Sequence, residues 1–163
     1  SSTNYQHSST ILQELEERER RQTHLIFYGI PENTSEDSQE RKESDEKCVT
    51  DVCGKINVKI VKEDIVKNFR VGKKLADKHR PLLISISTQQ KRKEILQKKK
   101  MLKEVFPTVR IVQDCTPQQR KHDKKVYEEI KMKKDEEKSE DFLYIATGKP
   151  GERKIRRVKK RNV

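Results

Sequence analysis

Apolar residues in this 163-residue chain are gathered into short runs set between long charged stretches, and that spacing limits the fold to small layered units. Four of the runs, HLIFYGI (24–30), IVKNFRVGK (65–73), PLLISIS (81–87) and TVRIVQ (108–113), have strand length and are rich in β-branched and aromatic residues. Gly29 and Pro31 close the first, Gly72 supplies turn chemistry in the second, and Leu82, Ile84 and Ile86 alternate with Leu83 and Ser85 in the third. Helix-period segments lie between them. Cys48, Val49, Val52, Cys53 and Ile56 recur at three- and four-residue steps, which predicts a helix over about 36–54, capped by Thr34 or Ser35 and ended by Gly54. A second helix, TQQKRKEILQKKKMLKEV, starts at a Ser87 or Thr88 cap and turns Ile95, Leu96, Met101 or Leu102, and Val105 inward.

The order strand, helix, strand, strand, helix, strand predicts an α+β fold: a ferredoxin-like, RNA-recognition-motif-like, four-stranded antiparallel sheet with two helices on one face. The other face is left open. On the amino-terminal side, STILQELEERERRQ (9–22) carries Glu/Arg pairs four apart, such as Glu14 with Arg18, and Ile11 and Leu15 at a coiled-coil step. Residues 1–22 are therefore expected to be an unstructured start and the end of a coiled-coil helix, with the sheet domain over 23–115. After it, Thr116-Pro117 places a cap before a proline at the first helical position, opening a charged helix to about Lys138 with Val126, Tyr127 and Ile130 as its apolar edge. FLYIAT (142–147) and RKIRRVK (153–159), joined through GKPGE, predict a hairpin whose apolar side, Leu143, Ile145, Ile155 and Val158, covers that edge. Residues 116–163 then form a small helix-hairpin domain with a basic tail.

Only 30% of the residues are hydrophobic and 40% are charged, which excludes one large core. The net charge of +12 is unevenly placed: 7 basic and 12 acidic groups over 1–56, 15 and 5 over 57–104, one of each over 105–116, and 16 and 9 over 117–163. One acidic and two basic parts are the footprint expected of a binder of phosphate backbones. No run approaches the roughly 20 apolar residues that span a membrane, and the start has no signal-peptide pattern. Cys48, Cys53 and Cys115 match no metal or redox spacing, so no metal or other cofactor is expected. Cys115 and His122 lack an orienting third group, and no phosphate-cradling glycine motif follows a strand, so no enzyme activity is expected.

Particular residues carry a family resemblance. HLIFYGIPE, the acidic helix, NFRVGK, RPLLISIS, the Lys-rich helix, RIVQDCTPQQR and the closing hairpin together resemble the first-open-reading-frame proteins of LINE-type retrotransposons and their transposon-derived relatives. The resemblance covers about residues 10–160. It implies a single-stranded RNA- and DNA-binding protein of little sequence preference that coats element RNA as a ribonucleoprotein and acts as a nucleic-acid chaperone. It further implies a homo-oligomer, a trimer, formed through an upstream coiled coil, and residence in cytoplasmic ribonucleoprotein particles and the nucleus.

Carried over by position, the implied contacts are Arg70, Lys73, Lys74, Lys78 and Arg80 around the second and third strands, and Lys98, Lys99 and Lys100 after the second helix. Arg110 precedes the junction, and Arg120 and Lys121 open the third helix. Lys149, Arg153, Lys154 and Arg156 belong to the basic tail. Tyr28 is expected to be the one aromatic able to stack on a base, since Ile26, Leu83 and Ser85 fill the other outward places on strands one and three. The alternative from another class is a coiled-coil scaffold whose sheet domain binds protein and whose charge serves solubility.

Overall fold

The computed structural model describes residues 2–161, with side chains from residue 6 onward. Ser1 of the expected unstructured start, and Asn162 and Val163 of the basic tail, lie outside the described residues. Two compact units emerge: Arg20–Asp114, and a second formed by the residues up to Glu19 together with those from Cys115 on.

The larger unit is α+β. Its elements are β1 (His24–Tyr28), α2 (Ser38–Lys55), β2 (Ile65–Arg70), β3 (Leu82–Ile86), α3 (Gln89–Lys98), the short α4 (Leu102–Val105) and β4 (Arg110–Gln113). The strands form one antiparallel sheet in the order β2-β3-β1-β4. Alternation sends Leu25 and Phe27 of β1, Leu82, Ile84 and Ile86 of β3 and Ile111 of β4 into one core, where they meet Val49, Val52 and Cys53 of α2 and Ile95 of α3. Burial without polar neighbours pushes the Cys53 thiol up to about 12, so it serves as a small apolar filler. Gly29 has φ +83, and a Cβ there would collide with the Thr108 carbonyl, which lets the chain leave β1 close against the approach to β4.

The element boundaries follow local hydrogen bonding. Ser35 Oγ accepts from the Asp37 amide and so is taken up by the preceding turn. The cap passes to Asp37, whose carboxylate accepts from the Gln39 amide at 2.9 Å, so neither Thr34 nor Ser35 caps α2. Gly54 stays inside the helix, and Asn57, at φ 61, takes the left-handed position beyond it. The second strand ends at Arg70 rather than Lys73: Val71 still donates to the Pro81 carbonyl, but proline has no N–H to return the bond, and the chain turns at Gly72. Thr88 caps α3, its hydroxyl accepting from the Lys91 amide.

In the smaller unit, α1 (Ser2–Arg21) is helical from Ser2, where an unstructured start was expected, and its last residues, from Arg20 on, belong to the larger unit. α5 (Pro117–Glu136) opens on Thr116, which is fully buried and forms a reciprocal capping box with Gln119. It packs on the hairpin β5 (Phe142–Thr147) and β6 (Lys154–Lys159), burying Val126 and Ile130. The cross-strand register corrects the expected apolar side. Tyr144 pairs with Arg157 and Ala146 with Ile155 on the face where the Tyr144 hydroxyl donates to Glu137, the cap residue just beyond α5. Leu143, Val158 and Ile145 fall on the opposite face, so only Ile155 of the four covers the helix edge.

Candidate nucleic-acid interface

The sheet face turned away from α2 and α3 carries a row that crosses all four strands: Phe69, Leu83, Ile26 and Val112 stand opposite one another in register. One step along, Tyr28 stands opposite Arg110, whose guanidinium lies 4.5 Å from the ring centroid. Arg110 is exposed and half-exposed Tyr28 offers its ring beside it, so the pair presents a flat cationic and aromatic surface. Phe69 is 49% exposed on the same face. From the strand spacing and rise, Tyr28 and Phe69 are roughly 12 Å apart, too far to hold adjacent stacked bases and suited to separate ones. Lys67, opposite Ser85, adds an exposed cation to the face.

Phe69 was not foreseen as a stacking residue, and the reason is a bulge. Ile65 pairs with the inward Ile86, but Lys67 pairs with the outward Ser85, so the extra residue Val66 inverts the parity of β2. Asn68 then turns inward and Phe69 outward. Nothing in the local sequence IVKNFRV marks the extra residue.

The cations divide into two groups. Arg70 and Arg80 belong to the frame. The Arg70 side chain is 7% exposed and its five N–H groups are all used: two on Asp45 at 2.6 and 3.2 Å, two on the carbonyls of Ile30 and Arg80 and one on that of Pro31. A guanidinium without a spare donor cannot take a phosphate, which corrects the expectation for Arg70. Arg80 forks onto Glu32 and holds that carboxyl well below its ordinary range, at about 2. The expected phosphate contact at Arg80 is thereby committed to Glu32. Arg70 ties the β1–α2 loop to the end of β2, and Arg80 ties it to the approach to β3.

The loop between β2 and β3 then projects Lys73, Lys74 and Lys78, all exposed and without an ion-pair partner among the described residues. At the end of α3, Lys98 donates to the Asn57 carbonyl and Lys99 to that of Ile111, while Lys100 is exposed. In the smaller unit, Lys121, Lys149, Lys154 and Arg156 are exposed, and Arg120 is exposed with one nitrogen on the Cys115 carbonyl. Arg153 is turned inward, 3.4 Å from Asp123 and bonded to the Gly148 carbonyl. Arg157, absent from the expected set, is bridged to Glu137 at 2.8 Å and lies 3.6 Å over Phe142. With Tyr144 it holds the Glu137 carboxyl at about 2.

No helix of the described residues is long and apolar enough to cross a membrane. No family model matches the chain, and no curated protein matches it.

Proposed function

We propose that this protein binds single-stranded RNA and DNA with little sequence preference, in the manner of the LINE-type first-open-reading-frame proteins it resembles, coating the strand and acting on it as a chaperone rather than as an enzyme. The strand order β2-β3-β1-β4 supports reading the larger unit as a ferredoxin-like domain of the RNA-recognition kind. The observation that carries the proposal is the outward sheet face, where Leu83 and Ser85 at the centre are buried but the edges and one end carry Tyr28 under Arg110, the exposed Phe69 and, at the end of the adjoining edge strand, a loop of unpaired lysines. Two well-separated aromatics give stacking that every base can satisfy, and the lysines grip phosphates without reading sequence. Such grips release and re-form easily, which is what strand exchange requires.

Self-association is part of this reading. Ile11, Leu12 and Leu15 of α1 are 48%, 57% and 55% exposed, an apolar stripe of the kind a helical partner covers. The test is fluorescence anisotropy of a labelled, unstructured RNA of about 20–30 nucleotides, long enough for more than one site, at several salt concentrations. Steeply salt-dependent binding of unrelated sequences, weakened by Lys73→Ala/Lys74→Ala/Lys78→Ala, is expected. Absence of binding at low salt would refute the proposal in favour of a protein-binding scaffold.

A further inference from the structure

Strand β2 pairs with β3 on one side only, and no strand lies along its other edge. The register fixes which groups that edge presents. Val71 donates to the Pro81 carbonyl, so Val71, Phe69 and Lys67 turn their main-chain groups to β3, and in alternation Asn68 and Arg70 turn theirs away from it. No other segment of the described residues bonds to the main chain of either. The Arg70 side chain is 7% exposed while the residue as a whole is partly exposed, so main chain is part of what meets solvent there. Asn68, Phe69 and Arg70 line a cleft of about 260 Å³ beside this edge, with the loop after β1 and the first turns of α2 as its other walls.

Charge and chemistry decide what can pair there. A second copy of this strand would bring Lys67, Lys73 and Lys74 against the same lysines, which disfavours it. The carboxylates in the cleft wall are already taken, Asp45 by Arg70 and Glu32 by Arg80. Lys67 on the strand and Lys42 across the cleft are exposed and have no ion-pair partner among the described residues, so an acidic partner is favoured. On the outward side Phe69 and Val71 are 49% and 38% exposed and suit apolar neighbours. A nucleic acid meets only half of these demands: its phosphates accept from the Asn68 and Arg70 amides, but it has no row of N–H groups to bond their carbonyls. Another polypeptide strand supplies both at the two-residue repeat of the edge, and the strand is regular from Lys67, past the bulge, to Arg70.

We propose that the free edge of β2 takes an extended, acidic peptide segment of a partner protein, added antiparallel like every other pair in this sheet, with apolar side chains beside Phe69 and Val71 and carboxylates turned to Lys42. This goes beyond the strand-coating proposal and does not rest on it.

The test is amide hydrogen exchange by NMR on the full chain, titrated with a synthetic peptide of about 6 residues, an ordinary strand length, that alternates glutamate and valine. In the antiparallel pairing each glutamate lies opposite Asn68 or Arg70 and exchanges both main-chain bonds with it, and each valine lies opposite Phe69 or Val71. Saturating peptide is expected to slow exchange at Asn68 and Arg70 about tenfold, the effect of one hydrogen bond each. Phe69 and Val71, whose amides already bond to β3, change less. N-methylation of the glutamates abolishes binding, whereas N-methylation of the valines, whose N–H groups point away from β2, leaves it. A peptide alternating lysine and valine does not bind. The proposal is overturned if the acidic peptide leaves Asn68 and Arg70 unmoved, or if methylation of the glutamates leaves the affinity unchanged, as a purely ionic contact would. It is also overturned if an oligouridylate slows these two amides and the peptide does not. RNA binding with an inert peptide would overturn this inference alone, and peptide on the edge without RNA binding would overturn only the strand-coating proposal.

Discussion

Arg70 separates the frame of this molecule from its interface, and Arg70→Met is the change that tests the distinction. Removing the guanidinium leaves the Asp45 carboxylate, 9% exposed, without its cation, and takes donors from the carbonyls of Ile30, Pro31 and Arg80. Stripping one partner from a buried ion pair costs about 3–5 kcal/mol. The unit runs from residue 20 to 114, which is 114 − 20 + 1 = 95 residues, and at about 0.05–0.15 kcal/mol per residue such a unit is stable by about 5–14 kcal/mol. The variant therefore folds with much of its margin gone. At about 4–8 °C per kcal/mol, its melting temperature falls by about 12–40 °C. Removing both charges, as Arg70→Met/Asp45→Asn, leaves no buried unpaired ion and recovers a large part of the loss. Circular dichroism melting measures the drop, and hydrogen exchange of the peptides containing β1 and β2 locates it. RNA anisotropy, taken where the variant is still folded, is expected to show an unchanged salt slope. A melting temperature within about 2 °C of the parent, joined to a loss of RNA affinity equal to that of Lys73→Ala, would refute the assignment of Arg70 to the frame.

On the open face, Tyr28→Ala and Phe69→Ala each lose about 1–3 kcal/mol of stacking, or about 5–150-fold in affinity, with the salt slope unchanged, as anisotropy at fixed salt will report. Lys73→Ala/Lys74→Ala/Lys78→Ala makes the log-log salt slope shallower by about 2, at about 0.7 per phosphate contact on a single strand, and leaves the melting temperature where it was. Glu32, lowered from 4.5 to about 2, contributes stability that is complete above its unfolded value and fades as pH falls from about 4.5 toward 2. Glu32→Gln removes that contribution, so its urea midpoint differs from the parent more at about pH 6 than at about pH 2. Gly29→Ala forces a Cβ onto the Thr108 carbonyl at a positive φ, and thermal melting is expected to show a loss of about 1–3 kcal/mol or more.

Much of the sheet unit was readable because each signal in it was local. Leu25 and Phe27, and Leu82, Ile84 and Ile86, carry the period of a strand packed on one side, and Thr88 and Thr116 are caps whose partners lie three residues on. What escaped depended on non-local geometry. The bulge at Val66 is invisible in a string of residues, yet it alone decides that Phe69 faces outward with Tyr28. Charge was the other blind spot. Arg70 and Arg80 read as part of the same basic stretch as Lys73 and Lys74, and nothing in spacing tells that Asp45 and Glu32, 25 and 48 positions away, return in space to claim them. The hairpin shows the same limit: four apolar residues named one side, but the strand register divides them between two faces.

The division of labour between arginine and lysine gives the proposed function its physical character. Arg70, Arg80, Arg153 and Arg157 face carboxylates in the frames of the two units, Arg70, Arg80 and Arg157 through two nitrogens each, because a planar fork matches a carboxylate and loses little freedom per bond. The side chains left exposed are mostly lysines, at 73, 74, 78, 100, 121, 149 and 154. An ammonium on a flexible stem meets a phosphate as a point charge, without fixed direction, so it adds affinity that salt removes and that sequence does not change. The exceptions are informative. Arg110 is exposed but stacked on Tyr28, where a planar cation extends an aromatic surface as lysine could not. Replacing Arg110 by Lys should therefore keep the charge and the salt slope while weakening the binding of every strand to a similar degree, an outcome that a purely electrostatic surface would not produce.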